Sequence, residues 1–210
     1  MPNRHCVSHP HLAVSISGHG FGHVAQIHGC YANAFLRATP GMPMTSLPNL
    51  IPVSPIAATG TNRRAELGRR LKLSSGEELV QDSWQIEHPD AIVLETLQTK
   101  NFCPGTRMSF CDLLSSSDML ICKPGYGSFV EAACSGTPVL HVARADWPEA
   151  PALIEWLQRH SLCREVSRQM LEQGRIAEEL EEIWKAPHPS PIIPESARQE
   201  AERLTGKLDL

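Results

Sequence analysis

The run Ile121-Cys122-Lys123-Pro124-Gly125-Tyr126-Gly127-Ser128-Phe129-Val130-Glu131 constrains this chain more than any other stretch. It reads as the end of a buried strand, a glycine turn and the first turns of a helix. Gly136-Thr137-Pro138 stops that helix, and Val139 to Ala143 reads as the next strand. Free backbone N–H groups and the helix dipole converge where a strand end turns into a helix, which suits a phosphate. A second glycine turn, Gly18-His19-Gly20-Phe21-Gly22-His23, lies near the N-terminus, and the two turns are expected to face one ligand.

The flanking pattern fits an α/β chain. Leu12 to Ser17 reads as a buried strand, His23 to Arg37 as a helix, Asn62 to Leu73 as a helix with Asn62 as its cap, and Ala91 to Glu95 as a strand. Glu77 to Val80 resembles a strand start. Ser109 to Ser116 reads as a short helix, Asp118 to Cys122 as a strand, and Pro148 to His160 as a helix. Val166 to Trp184 reads as one amphipathic helix weakened at Gly174, and Glu195 to Leu208 as a polar helical tail. Alternating strands and helices imply parallel strands joined by right-handed crossovers. Residues 38–62 carry Pro40, Pro43, Pro48, Pro52 and Pro55, which argue for a linker or extended crossover without a long helix or central strand.

With 210 residues, the chain has room for one large domain or two small ones. A net charge of -4 argues against non-specific nucleic-acid binding. Arg63, Arg64, Arg69, Arg70 and Lys72 cluster locally and read as a solvated helix face. The seven cysteines form no C-x-x-C pair, which points to free thiols in a reducing compartment. No apolar run approaches the roughly 20 residues of a membrane span. Residues 1–11 lack an apolar signal core, so a cytoplasmic protein without a transmembrane segment is expected.

The block from Phe110 to Leu157 resembles the C-terminal domain of GT-B fold glycosyltransferases, the MurG-like nucleotide-sugar group. The residues that carry the resemblance are Asp118 to Cys122, Lys123 to Ser128, Glu131, Gly136-Thr137-Pro138 and Arg144-Ala145-Asp146-Trp147-Pro148-Glu149. The N-terminal glycine loop is similar to the first glycine loop of these enzymes. The segment from Pro48 to Arg64 is similar to their crossover between domains. The resemblance covers about half the chain. It implies a doubly wound, Rossmann-like parallel sheet preceded by a truncated N-terminal strand–loop–helix unit. The domain reading is 1–38 as a remnant of the N-terminal domain, 39–61 as the linker, 62–185 as the nucleotide-sugar-binding domain and 186–210 as the tail. Two complete domains would need well over about 250 residues. The chain therefore looks internally shortened, and the strand at 12–17 is expected to join the C-terminal strands in a single sheet. A homodimer or a partner chain is one way to complete the cleft.

The resemblance also implies roles. The donor is a nucleotide-sugar, expected to be UDP-linked, and it is a substrate, with no separate cofactor. Gly20, Gly22, Gly125, Tyr126, Gly127 and Ser128 would line its diphosphate or sugar, and Glu131 would hold the ribose hydroxyls. Arg144, Asp146 and Glu149 would line the donor sugar, and His23 would be the general base. Each role has a plain alternative. The glycines can serve a turn that needs positive φ, and Ser128 can cap the helix. Glu131 can be a helix-dipole partner, and the group at 144–149 can be a surface ion pair. The loop at Gly18 departs from G-x-G-x-x-G because His23 occupies the last position. His19 and His23 stand at i, i+4 spacing, but the intervening glycines disfavour a helix through them, so no metal site is expected. Cys122 and Cys134 read as small buried hydrophobes.

Overall fold

The structure, a computed structural model, describes residues 12–15, 34–47, 49–82, 91–95, 108–142, 144, 146–188, 190–194 and 197–208. The fold is mixed α/β with two parallel sheets. The chain divides into two compact units, one of residues 1–56 and 195–210 and one of residues 57–194.

The first unit holds β1 (Leu12–Ser15), β2 (Ala34–Ala38) and β3 (Leu50–Val53), hydrogen-bonded in that order. It also holds the last helix, α7 (Ala197–Leu208). Leu36, Val53 and Leu204 pack together and anchor α7 on this sheet. The outer edge of β3 is closed by an ion pair on α7. Glu200, almost fully buried, accepts the Ser54 amide at 2.9 Å, and Arg203 donates to the Pro52 carbonyl at 3.2 Å. The two side chains pair with each other, so neither charge is stranded. They take the place of a neighbouring strand along an edge that would otherwise bind other chains.

Three expectations fail in this unit. Residues 34–38 are a strand where a helix through Arg37 was expected. Ala, Leu and Arg are helix formers, yet pairing on both sides of β2 overrides that preference. The proline-rich stretch is more than a linker, because β3 lies inside it. Pro52 is tolerated because β3 is an edge strand and its missing N–H faces away from β2. Finally, β1 pairs with β2, so the strand near residue 12 does not join the C-terminal sheet.

The second unit carries α1 (Arg64–Leu71), β4 (Glu78–Asp82), β5 (Ala91–Glu95), α2 (Phe110–Ser115), β6 (Met119–Cys122) and α3 (Tyr126–Ser135). It continues with β7 (Val139–Val142), α4 (Ala150–His160), β8 (Cys163–Val166), α5 (Arg168–Glu172) and α6 (Ala177–Lys185). Its strands run parallel in the order β5-β4-β6-β7-β8. All four residues of β6 and of β7 are buried, as continuous apolar runs must be when both sheet faces are covered. One face packs Leu120, Cys122 and Val139 against Phe129, Val130 and Ala133 of α3 and Leu153, Trp156 and Leu157 of α4. The other packs Met119, Ile121, Leu140 and Val142 against Leu171 of α5 and Leu180 and Ile183 of α6. Each such large side chain contributes about 1.5–3 kcal/mol on full burial. Cys122 and Cys134 lie in the first cluster as small apolar groups.

The expected helix from Val166 to Trp184 is instead the end of β8 followed by two helices. Val166 closes β8 and is buried there. Ser167 caps α5 by accepting the Met170 amide, and the chain turns at Gly174 with φ of 65°. In α1 the cap position falls on Arg63, and Asn62 bonds the Arg64 amide at 3.0 Å. No helix among the described residues is long and apolar enough to cross a membrane.

Candidate functional site

The strand order of the second unit reverses at one place. β4 leads outward to β5, whereas β6, on its other side, leads toward β8. Ligands of open α/β sheets sit beyond the carboxyl ends of strands at such a switch point. Residues 123–128 leave the carboxyl end of β6 there, and Gly125 is the cap residue of α3.

Gly125 has an extended backbone (φ -163°, ψ 140°), and no side chain caps α3. Ser128 is the third residue of the helix and not its cap residue, and neither Gly125 nor Gly127 has a positive φ. The turn does not need glycine for its conformation. Packing does not require it either: a Cβ on Gly127 would meet nothing within 4 Å, and one on Gly125 only the Lys123 carbonyl at 3.8 Å. The first amides of an α-helix have no partner within the helix, and the cap residue here, a glycine, has no side chain to offer them. The result is a helix start with a glycine cap, bare of side chains at positions 125 and 127, on the ligand end of the sheet.

Glu131 follows on the same helix and is half-buried. Burial pushes its carboxyl pKa above the ordinary value. It lies beyond the first turn, where the helix dipole has fallen off, so the helix-dipole alternative loses force. Its field reaches Cys111 of α2 and Cys134 of α3 and raises both thiols further, with burial the larger cause in each. Cys134 is pushed up to about 11, so it stays a thiol at neutral pH.

The loop after β7 places Arg144 beside Asp146, Nε to Oδ1 at 3.4 Å, and stacks the guanidinium 4.4 Å from the Trp147 ring centre. A cation held over an indole face is fixed in orientation. The expected surface ion pair of Arg144 and Asp146 is thus formed, with Asp146 largely exposed. Glu149 is buried at the cap position of α4.

A strap made of the residues ahead of α1 crosses α2 in the same unit. The Thr61 amide donates to Asp112 Oδ1 at 2.8 Å, and the Arg63 amide donates to Ser116 Oγ at 2.8 Å. Asp112 Oδ2 accepts the Ser109 amide at 2.8 Å while Ser109 Oγ accepts the Asp112 amide at 3.1 Å, a complete capping box. The Thr61 amide foremost, then the Ser109 amide, hold the Asp112 carboxyl below the ordinary range. Gly60 lies so close to α2 that a Cβ would come 2.1 Å from the Cys111 carbonyl. The strap thus packs against Cys111, and the field of Glu131 reaches the same residue.

Of the sequence-derived candidates, Gly125, Tyr126, Gly127, Ser128 and Glu131 share α3 and its cap, and Arg144, Asp146 and Glu149 share the β7–α4 connection. Gly20, Gly22 and His23, with His19, lie outside the described residues. Among the described residues no three His, Cys, Asp or Glu side chains are placed to hold a metal. Sequence reasoning assigned no part to Trp147, Asp112 or His141. A polar residue in the apolar run Val139-Leu140-His141-Val142, and the Ser109-x-x-Asp112 spacing, were the available signals. Models of known protein families and the curated proteins contain no match to this chain.

Proposed function

We propose that the chain binds a nucleotide-diphosphate sugar at the start of α3 and is a glycosyltransferase of the hexosyltransferase type. The observation that carries this is the bare helix start, where Gly125 and Gly127 leave open space that neither conformation nor packing demands. A diphosphate fits such a place because its oxygens can accept from helix-start amides and the backbone can approach closely where glycine carries no side chain. Glu131, one to two turns along, would accept the ribose hydroxyls, and Arg144, oriented by Trp147, would offset diphosphate charge. The resemblance of the block from Phe110 to Leu157 to GT-B enzymes agrees, as does the reversal of strand order beside β6.

In this reading an acceptor hydroxyl attacks the anomeric carbon of a UDP-linked sugar. The bond from that carbon to the diphosphate oxygen breaks, and its electron pair leaves with the nucleotide. The acceptor proton goes to His23, the expected base. The helix start stabilises the charge that grows on the leaving diphosphate, without an obligatory metal. The finer fold assignment, a doubly wound GT-B domain, belongs to the same proposal.

A second reading, a non-catalytic nucleotide-sugar-binding module, draws support from the first unit. Its sheet has three strands among the described residues, against five in the second unit. Titration calorimetry with UDP, GDP and UDP-sugars tests both readings, and the absence of binding to any of them removes both. A transfer or donor-hydrolysis activity that is lost in His23→Ala selects the enzyme. Binding without turnover selects the module.

A further inference from the structure

His141 is the polar residue of a strand that is otherwise Val, Leu and Val, and it is only 1% exposed. Its Nδ1 has no hydrogen-bond partner. Glu165 stands at the matching register position of the neighbouring strand β8, with Oε2 3.9 Å from that nitrogen and a half-exposed side chain. On its helix side the imidazole meets the Phe129 ring of α3, centre to centre 5.6 Å and tilted by 57°. Phe129 is fully buried and lies in the first turns of α3, so a movement of the imidazole reaches the helix start through a packed contact.

We infer that His141 and Glu165 form a proton-operated latch beneath the start of α3. It is open while the neutral ring carries its proton on Nε2, and it closes when a proton from solvent adds to Nδ1 and makes it a donor for Glu165. The 3.9 Å separation is too long for a hydrogen bond, and a charge-assisted N–H···O bond sits at about 2.7–2.9 Å. Closure therefore draws the two groups together by about 1 Å. Half-exposed Glu165 is free to make the move, whereas the buried ring can only tilt against Phe129. The groups around the imidazole are few. β6 presents Cys122 in register, followed by exposed Lys123. β8 presents Glu165, while its Arg164 is paired with Glu182 of α6. Besides Phe129, α3 carries Glu131, whose field falls on Cys111 and Cys134. Glu165 is the charged group that acts on the ring.

Burial is the larger influence and lowers the His141 pKa, while Glu165 opposes it and raises it. The latch is thus open at neutral pH and closes only below the ordinary histidine range. The latch does not depend on which ligand, if any, the helix start takes.

The test is NMR of the full chain between pH 7.5 and the onset of acid unfolding, following the His141 imidazole and the Phe129 ring in wild type and in Glu165→Gln. Position 165 is half-exposed, so this variant keeps the fold. The expected result is a His141 midpoint below the ordinary value of about 6.5, with Phe129 signals moving at the same midpoint. In Glu165→Gln the midpoint moves lower still, and the Phe129 response is lost. Three results overturn the latch: a midpoint unchanged in Glu165→Gln, Phe129 signals that do not follow His141, or a ring that stays neutral until the protein unfolds.

Discussion

The Thr61 amide donates to Asp112 Oδ1 at 2.8 Å, so one carboxylate both caps α2 and ties down the strap ahead of α1. Substituting Asp112→Ala removes the reciprocal cap partner and the strap bond together. Loss of a cap costs about 0.5–2 kcal/mol and a hydrogen bond to a charged group about 1.5–3 kcal/mol. Most of that loss is recovered from water at this partly exposed site, so a net destabilisation of about 2 kcal/mol is expected in urea unfolding. The pH dependence has a definite sign. Asp112 is held below its ordinary pKa in the folded chain, so its contribution is present above the unfolded value and is lost as pH falls through the folded one. Asp112→Asn should flatten that acid limb.

Two glycines outside the candidate site are required by the fold. Gly60 would place a Cβ 2.1 Å from the Cys111 carbonyl. Gly136 closes α3 at φ 71°, and a Cβ there would also come 2.9 Å from Pro191 Cγ. The Thr137 amide reaches back to the Ala132 carbonyl at 3.0 Å and completes the helix stop. Gly136→Ala is expected to cost about 1–2 kcal/mol from the left-handed backbone alone, and Gly60→Ala at least as much from overpacking. Midpoint shifts in urea unfolding check both.

Glu131 behaves oppositely to Asp112. Its folded pKa is raised by burial, so the charged form is penalised in the fold, and stability falls as pH rises from the unfolded value through the folded one. Glu131→Gln removes the penalty and should leave the protein no less stable at pH 7. If Glu131 holds a ribose, the same substitution weakens UDP binding about tenfold or more, because a hydrogen bond to a charged group is worth about 1.5–3 kcal/mol. Unfolding curves and titration calorimetry on one variant separate the two effects.

Much of the second unit is legible in the sequence because its signals are local. Ser109 and Asp112 mark the start of α2, the apolar run at Met119 to Cys122 marks a buried strand, and Gly136-Thr137-Pro138 marks a helix stop. The expected helix at Ser109 to Ser116 differs from Phe110–Ser115 only at its ends. The failures arise where tertiary pairing decides. Ala34–Ala38 has helix-forming residues and is a strand only because β1 and β3 flank it. Leu50–Val53 hides behind Pro52, whose edge position makes the ring harmless. Cys163–Val166 is a short edge strand with two exposed charged residues, and Val166 happens to continue the helical spacing of Met170 and Ile176. At the candidate site, the glycine turn was visible in sequence. That neither glycine is needed by the turn was not, because it depends on φ and on the empty space around each Cα.

Gly127→Ala separates a structural glycine from a ligand-approach glycine. Position 127 is helical with open space around it, so alanine should be neutral or stabilising by up to about 1 kcal/mol. The measurement is UDP titration calorimetry on wild type and Gly127→Ala, with urea unfolding of both. The expected result is UDP binding by wild type and binding weakened about tenfold or more, ~1.4 kcal/mol, in a variant at least as stable. Wild type that does not bind UDP, or a variant that binds it as tightly as wild type, contradicts the assignment of this helix start to a nucleotide diphosphate.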